Sequence, residues 1–388
     1  MKLLILTQKV DKNDDVLGFM HGWIAEFAKH CEKVTVIALG VGEFDLPRNV
    51  TVLSLGKDKT VGFSGLDAEK MGNKFDDHLE TGFPSGDSHL DATRPSGGDR
   101  LKYVFNFYKY IIQERNNYDN VFVHMNQVYV VLGGILWRLW GKKIGLWYMH
   151  KSVDLKLRIA EKLTHTIFSA TPESFRLKSK KLNITGHGIP VEKFIKLKID
   201  KADEQFKIIT IGRISPIKDY ETLIEAIKLL KNDNFRIQLD IVGGIARSNQ
   251  DNYLEDLKQK VKNEGLNENI NFVGPIPNRE IVSYLHKADL FVNTSHTGSL
   301  DKAILEAMSC GLLVLASNDS SKGVFEEYQD RLFFKPKDSL DLSQKILELS
   351  KLSDREKDKI GSRLRVIVEE NHNLKKLIKN IIFIYQKI

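Results

Sequence analysis

Short unbroken apolar runs alternate along the chain with longer stretches in which apolar side chains return every three or four positions. Runs of the first kind have the length of strands buried on both faces, and stretches of the second kind read as helices with one covered face. In the first half this predicts strands over 3–7, 34–39, 50–55, 121–124, 144–149 and 166–170, with helices over 19–28, 100–115 and 128–140. A polar, charge-rich stretch then interrupts the alternation. Beyond it, strands over 206–211, 238–242, 270–275, 289–292 and 312–316 alternate with helices that open at Asp219, Tyr253 and Ile281. Strand and helix alternating in this way predict an α/β chain of two doubly wound domains, each on a parallel sheet. A last helix carries Leu374, Leu377, Ile378, Ile381, Ile382 and Tyr385 on one face and lysines on another.

Residues 57–99 break the pattern. Gly62, Gly65, Gly72, Gly82, Gly86, Gly97 and Gly98 fall among many aspartates with little apolar periodicity, which predicts an inserted, mobile surface segment. His78 and His89 lie within it without the tight spacing of a metal site. The chain then divides into an N-terminal domain over 1–190, a linker over 191–205, a second domain over 206–371 and the last helix over 372–388.

With 388 residues, 42% of them hydrophobic, there is material for two sizeable cores. No apolar run reaches the ~20 residues of a membrane-crossing helix, and the first residues read as a strand, without a signal-peptide cleavage pattern. Cys31 and Cys310 sit in apolar helical contexts without metal spacing, the pattern of a reduced, cytoplasmic protein. A net charge of +7 is moderate at this length; it suits anionic small molecules or an anionic membrane surface and does not point to nucleic acid. Trp137, Arg138, Trp140, Lys142 and Lys143 gather near one helix end, either with the tryptophans packed on a neighbouring layer or, together with 100–115, as a weak, salt-sensitive membrane-surface association.

Candidate chemistry collects at strand ends. Residues 289–316 form a βαβ unit in which the Thr297-Gly298-Ser299 turn joins a strand end to a helix start, where free backbone amides hold a phosphate. Ser299 is the expected N-cap, and Gly311 the helix stop. Leu300, Ile304, Leu305 and Met308 mark the covered face; Glu306 falls roughly two turns in, either to meet a ribose or as an ordinary exposed glutamate. Arg213 and Lys218 flank the turn after strand 206–211, and two fixed cations there neutralise a pyrophosphate while backbone amides orient it. His150 follows strand 144–149, where open α/β sheets place ligand-binding groups. Gly18, before the first helix, either admits a ligand close to the backbone or serves a plain turn. The absence of GxGxxG at that point argues against a dinucleotide-dependent oxidoreductase.

Gly212-Arg213 with Lys218 (GRxxxxK), Phe272-Val273-Gly274, and Leu305-Glu306-Ala307-Met308-Ser309-Cys310-Gly311 together resemble the motifs of the retaining glycosyltransferases of the GT-B fold, a large family that includes bacterial mannosyl- and glucosyltransferases. The resemblance spans nearly the whole chain apart from 57–99, and its C-terminal half is the more specific. It implies two Rossmann-like domains facing a cleft, with the last helix returning to pack on the N-terminal domain. It further implies that Arg213 and Lys218 bind the donor pyrophosphate, that Glu306 holds the nucleotide ribose, and that His150 lies near the transferred sugar. The backbone at Gly274 and Ile276 would border the base, Gly298, Ser299 and Leu300 would belong to the donor turn, and Gly18 to an acceptor-side loop. No metal or other cofactor is implied. One departure matters: the family's usual second glutamate, eight positions before Glu306, is Gly298 here. Asp301 and Lys302 are the candidates to replace its contact to the donor sugar, while the i, i+4 spacing of Lys302 and Glu306 equally fits a surface ion pair.

The implied function is transfer of a sugar from a nucleotide-sugar donor to a glycan or lipid-linked acceptor with retention of anomeric configuration. The expected place is the cytoplasm, with peripheral attachment to the inner face of the cell membrane. Arg213, Lys218 and a helix N-terminus would stabilise the departing diphosphate. Gly298 keeps open a non-catalytic relative that binds nucleotide sugar, and a two-domain sugar-nucleotide epimerase is a third reading whose acid and base carboxylates are not found.

Overall fold

The computed structural model describes residues 1–14, 16–57, 97–195, 205–245, 251–296 and 298–388. The predicted insert, except for its two ends, lies outside the described residues, as do most of the predicted linker and Thr297.

Seven strands form the first sheet: β1 (Lys2–Val10), β2 (Lys33–Val41), β3 (Val50–Ser54), β4 (Asn120–His124), β5 (Lys143–Trp147), β6 (Thr166–Ser169) and β7 (Leu182–Ile184), in the order β3-β2-β1-β4-β5-β6-β7. The second sheet has β8 (Phe206–Ile211), β9 (Ile237–Val242), β10 (Ile270–Gly274), β11 (Leu290–Asn293) and β12 (Leu313–Ala316), in the order β10-β9-β8-β11-β12. Every pairing is parallel. Each sheet therefore grows both ways from its first strand, and the direction of growth reverses between β1 and β4 and between β8 and β11. Connections diverge at such points and leave a crevice at the carboxyl ends of the strands.

The first strand is longer than its apolar run predicts because a charge is buried at its end. Lys9 Nζ lies 2.5 Å from Asp14 and 3.4 Å from Asp11, and Asp14 also accepts the Leu17 and Val16 amides at 2.6 and 3.0 Å. Burial works against both charges, but the pairing outweighs it: Lys9 is held above the usual ammonium range and Asp14 below the usual carboxyl range. This ion pair anchors the loop that leads to Gly18.

One face of the seven-stranded sheet is covered by helix Phe19–Ala28 and by the last helix, Leu374–Lys387, which share a core around Trp23, Phe27, Leu377 and Ile381. The other face carries helices Gly97–Gln113, Gln127–Leu139 and Leu155–Leu163. Of the two readings of Trp137, packing holds: it is fully buried there and donates to the Tyr118 hydroxyl at 3.1 Å. A packed layer and an interface need the same amphipathic ring, and here packing has it.

The last helix reaches the first domain because helix Asp354–Asn371 stops at His372 and Asn373 caps a new one, its side chain accepting from the Lys375 and Lys376 amides. The two passages between domains are stitched together: Ile189 N donates to the His372 carbonyl (2.8 Å) and Leu374 N to the Ile189 carbonyl (2.9 Å). Gly186, at φ +73°, is required at this crossing, since a Cβ there would collide with the Asn371 carbonyl. Tyr385 closes the seam by donating to the Val121 carbonyl at 2.7 Å. The return of the C-terminal helix to the N-terminal domain is thus as the sequence implies.

Candidate functional site

The chain leaves β8 through 212–218 and enters helix Tyr220–Asn232 through Asp219, which sits in the left-handed region at φ +50°. Tyr220 Oη ties the turn down by donating to the carbonyls of Gly212 (3.1 Å) and Arg213 (3.2 Å). The Lys218 stem folds back over Gly212, where a Cβ would lie 3.3 Å from Lys218 Cε. Arg213 and Lys218 therefore share one small turn at the β8/β11 switch.

Across the switch, Asp301 gathers three donors on its Oδ2: Lys218 Nζ at 2.6 Å, Asn293 Nδ2 at 2.8 Å and Ser295 Oγ at 3.1 Å. Burial pushes the Asp301 carboxyl up, but the Lys218 ammonium and the donated hydrogen bonds overcome this and leave it below its ordinary value. Thr294 Oγ1 adds a bond to the Lys218 carbonyl at 2.6 Å. On the other flank of β8, Gly243 packs so closely that a Cβ would strike the Gly212 carbonyl. Gly243 N donates to the carbonyl of Gly274 (2.9 Å), itself at φ +85° beside an irregularity in the β9–β10 pairing. Three neighbouring strands thus end in bare backbone, with Ile276 half-buried just beyond.

Helix Lys302–Ser309 starts later than a Ser299 cap would place it. Asp301 occupies the N-cap position, but its side chain makes no cap hydrogen bond and goes to Lys218 instead. Ser299 turns toward the first domain and donates to the Met149 carbonyl at 2.9 Å, one residue before His150. The carbonyls of Gly298 and Ser299 are held by Ser320 Oγ (2.9 Å) and Asn318 Nδ2 (3.3 Å). The Leu300 side chain lies in the second core, and its carbonyl meets His187 Nε2 at 3.1 Å.

Glu306 is only 3% exposed, so it is not an ordinary surface glutamate. Lys302 Nζ stands 3.3 Å from Glu306 Oε1 and 4.1 Å above the ring of Phe19, from the first domain. The ion pair is close enough for attraction but not aligned as a hydrogen bond, which leaves Oε1 buried without a donor. Burial lowers Lys302 below the usual ammonium range by more than Glu306 restores.

On the first-domain side, His150 Nδ1 faces Ser152, whose amide and hydroxyl lie at 3.1 and 2.7 Å. Gly18 has φ −53°, so its freedom is not what matters; a side chain there would collide with the Asp14 carbonyl. His124, which the sequence did not single out, ends β4 at the other switch. Its ring lies 5.8 Å from Phe19 and 5.9 Å from Trp23, and its buried Nδ1 has no partner. Burial, helped by the Lys302 charge, pushes His124 down to about 3, so it is neutral at physiological pH. The predicted residues are thus brought to one rim: Arg213, Lys218 and Gly274 at adjoining strand ends, Lys302 reaching Phe19 with Glu306 beside it, and Ser299 reaching His150's neighbour. A hollow of about 250 Å³ lined by Thr171, Asp319, Ser320 and His372 opens beside this rim without including Arg213 or Lys218. Among the described residues no cluster of His, Cys, Asp or Glu is placed to hold a metal ion.

Residues 191–365 match the family model described as "Glycosyl transferases group 1". Over that segment the chain is similar to this family. Among curated relatives, the amylovoran biosynthesis glycosyltransferase AmsK of Erwinia amylovora is 30% identical over 37% of this chain and 35% of its own length. The D-inositol 3-phosphate glycosyltransferase of Jonesia denitrificans is 26% identical over 40% and 38%. The match thus spans little more than a third of those relatives. Among solved structures, an Anabaena protein, Alr3699/HepE, in complex with UDP and glucose superposes with a TM-score of 0.71 over all of both chains at 17% identity. Sucrose-phosphate synthase from Thermosynechococcus elongatus gives 0.74 over 100% of this chain and 99% of its own at 14% identity. At such identities the likeness establishes the GT-B fold, which agrees with the two parallel sheets.

The glycine that stands in place of the family's usual glutamate is a backbone requirement of this turn. Gly298 has φ +114°, a region that side chains rarely enter. Gly298→Glu is therefore expected to cost roughly 1–3 kcal/mol of stability, read as a lower denaturant midpoint; an unchanged midpoint contradicts this.

Proposed function

We propose that the chain transfers a sugar from a nucleotide-sugar donor, with retention of anomeric configuration, to a glycan or lipid-linked acceptor at the cytoplasmic face of a membrane. The observation that carries this is the pairing, at one topological switch, of a two-cation turn with a buried carboxylate oxygen that has no donor. Arg213 and Lys218 meet the diphosphate, and the ribose hydroxyls supply the hydrogen bond that Glu306 Oε1 lacks. Lys218 exchanges Asp301 for phosphate oxygens, and the amides that begin helix Lys302–Ser309 add their partial positive charge. Bare backbone at Gly243 and Gly274 lets the base lie flat against the strand ends, near Ile276. His150, held by Ser152, lies on the sugar side of the same rim, and the loop ending at Gly18 and Phe19 faces it as the acceptor side.

A non-catalytic binder of nucleotide sugar is the second reading, favoured by Gly298, which leaves the donor turn without the family's usual carboxylate. The two separate when purified protein is incubated with a panel of UDP-, GDP- and ADP-sugars. UDP-glucose comes first, because an Anabaena protein of the same fold was solved with UDP and glucose. Transfer or slow donor hydrolysis is the expected result; binding with neither, or interconversion of the sugar, overturns it.

A further inference from the structure

The helices on the outer face of the seven-stranded sheet expose apolar side chains that a covered layer has no need to expose. The five most exposed large apolar side chains among the described residues all lie there: Leu101, Phe105, Ile135, Leu139 and Leu155, at 61–77%. Ile112 and Ile159 extend the same ridges. From these ridges we infer a docking surface for an anionic lipid bilayer, formed by the outer sides of helices Gly97–Gln113, Gln127–Leu139 and Leu155–Leu163.

The helices lie side by side, so their outer sides form one surface. Phe107 stacks on Tyr129 at 5.7 Å, Tyr108 donates to the Leu132 carbonyl, and Arg138 Nε donates to the Leu163 carbonyl at 2.9 Å. Gly134 permits the close approach, since a Cβ there would lie 3.0 Å from Leu163. A contiguous apolar area of this kind marks an interaction site. Its charges select the occupant. The exposed charged positions on the three helices are Lys102, Lys109, Arg138, Arg158 and Lys162, with Asp99 alone of opposite sign, at the very start of the first helix. Apolar groups ringed by cations suit the boundary between headgroups and acyl chains of an anionic membrane. A second copy of this chain docking face to face would set these cations against each other. Two of the helices also start beside the candidate site: Gln127 Nε2 donates to Asp154, the cap of helix Leu155–Leu163, at 3.2 Å, and that helix begins five residues past His150. A bilayer on this face would lie next to the first-domain rim, within reach of a lipid-linked acceptor.

The inference uses no residue of the candidate donor site and stands apart from the transfer reading. The test is co-sedimentation of the full chain with vesicles of phosphatidylcholine alone and of phosphatidylcholine mixed with phosphatidylglycerol. Binding to the mixed vesicles, weakening as salt rises, is expected. Leu139→Glu with Leu155→Glu is expected to reduce it by about tenfold or more, and Lys109→Glu with Arg158→Glu by a comparable factor, with the melting transition retained in both because every position is exposed. Lys376→Glu with Lys379→Glu, on the opposite side of the sheet, is expected to bind like wild type. Absence of binding to mixed vesicles at low salt, full binding by both test variants, or a solution dimer that the same variants dissolve would each overturn it.

Discussion

Alanine at Lys218 is expected to lower turnover of the nucleotide-sugar donor by roughly ten- to a hundredfold, because a hydrogen bond to a charged group is worth about 1.5–3 kcal/mol. The same change leaves Asp301 with Asn293 and Ser295 as its donors, and stability falls with it. The two effects separate in the double variant. Lys218→Ala with Asp301→Asn removes the stranded charge and recovers the denaturant midpoint, but turnover stays low. Asp301→Asn alone keeps Lys218 and removes the carboxylate that competes with phosphate for it, so the donor KM is expected to fall or stay level. If Lys218→Ala and Asp301→Asn lose turnover equally and the double variant loses no more, Lys218 serves Asp301 and not the donor.

Removing 372–388 is expected to abolish cooperative folding. The last helix buries Leu374, Leu377, Ile378, Ile381, Ile382 and Tyr385, and burial of each such side chain contributes roughly 1.5–3 kcal/mol. Together they rival the whole stability of an ordinary domain, about 5–15 kcal/mol. Truncation also takes away the Leu374 amide and His372 carbonyl that pair with Ile189, and uncovers the sheet face beneath Trp23. Light scattering and thermal melting followed by circular dichroism read the outcome. A soluble truncated protein with an unchanged transition contradicts the account. If it cannot be produced, Ile378→Ala in the full chain is expected to cost about 2–5 kcal/mol.

Most strands were legible because both their faces are buried, so the apolar runs are unbroken and their length alone separates them from helices. The end of β1 was not, since Lys9 is buried by a partner five residues on that no apolar pattern reveals. Helix Leu155–Leu163 escaped notice because only Leu157 and Ala160 on it are buried, too few to set a stripe. The placement of Arg213 and Lys218 in a strand-end turn, and of Glu306 inside a helix, was legible from their motifs. Asp301 was singled out only as a candidate for the donor sugar; its contact with Lys218 was hidden because the two lie 83 residues apart. His124 was hidden for a related reason: the β1/β4 switch exists only once the strand order is known. Trp137 was open to two readings because an indole among cations looks the same whether it faces lipid or packs on Tyr118, and packing is what it does. The proposed bilayer-docking surface rests instead on the apolar residues that packing left outside.

Calorimetric titration of UDP, GDP and ADP into wild type and Arg213→Ala tests the central claim, that the β8/β11 switch holds a nucleoside diphosphate. One-site binding of at least one of the three by wild type, weakened by about tenfold or more in Arg213→Ala, is the predicted result. Failure of all three to bind wild type, or affinity in Arg213→Ala within about twofold of wild type for the one that binds, contradicts it.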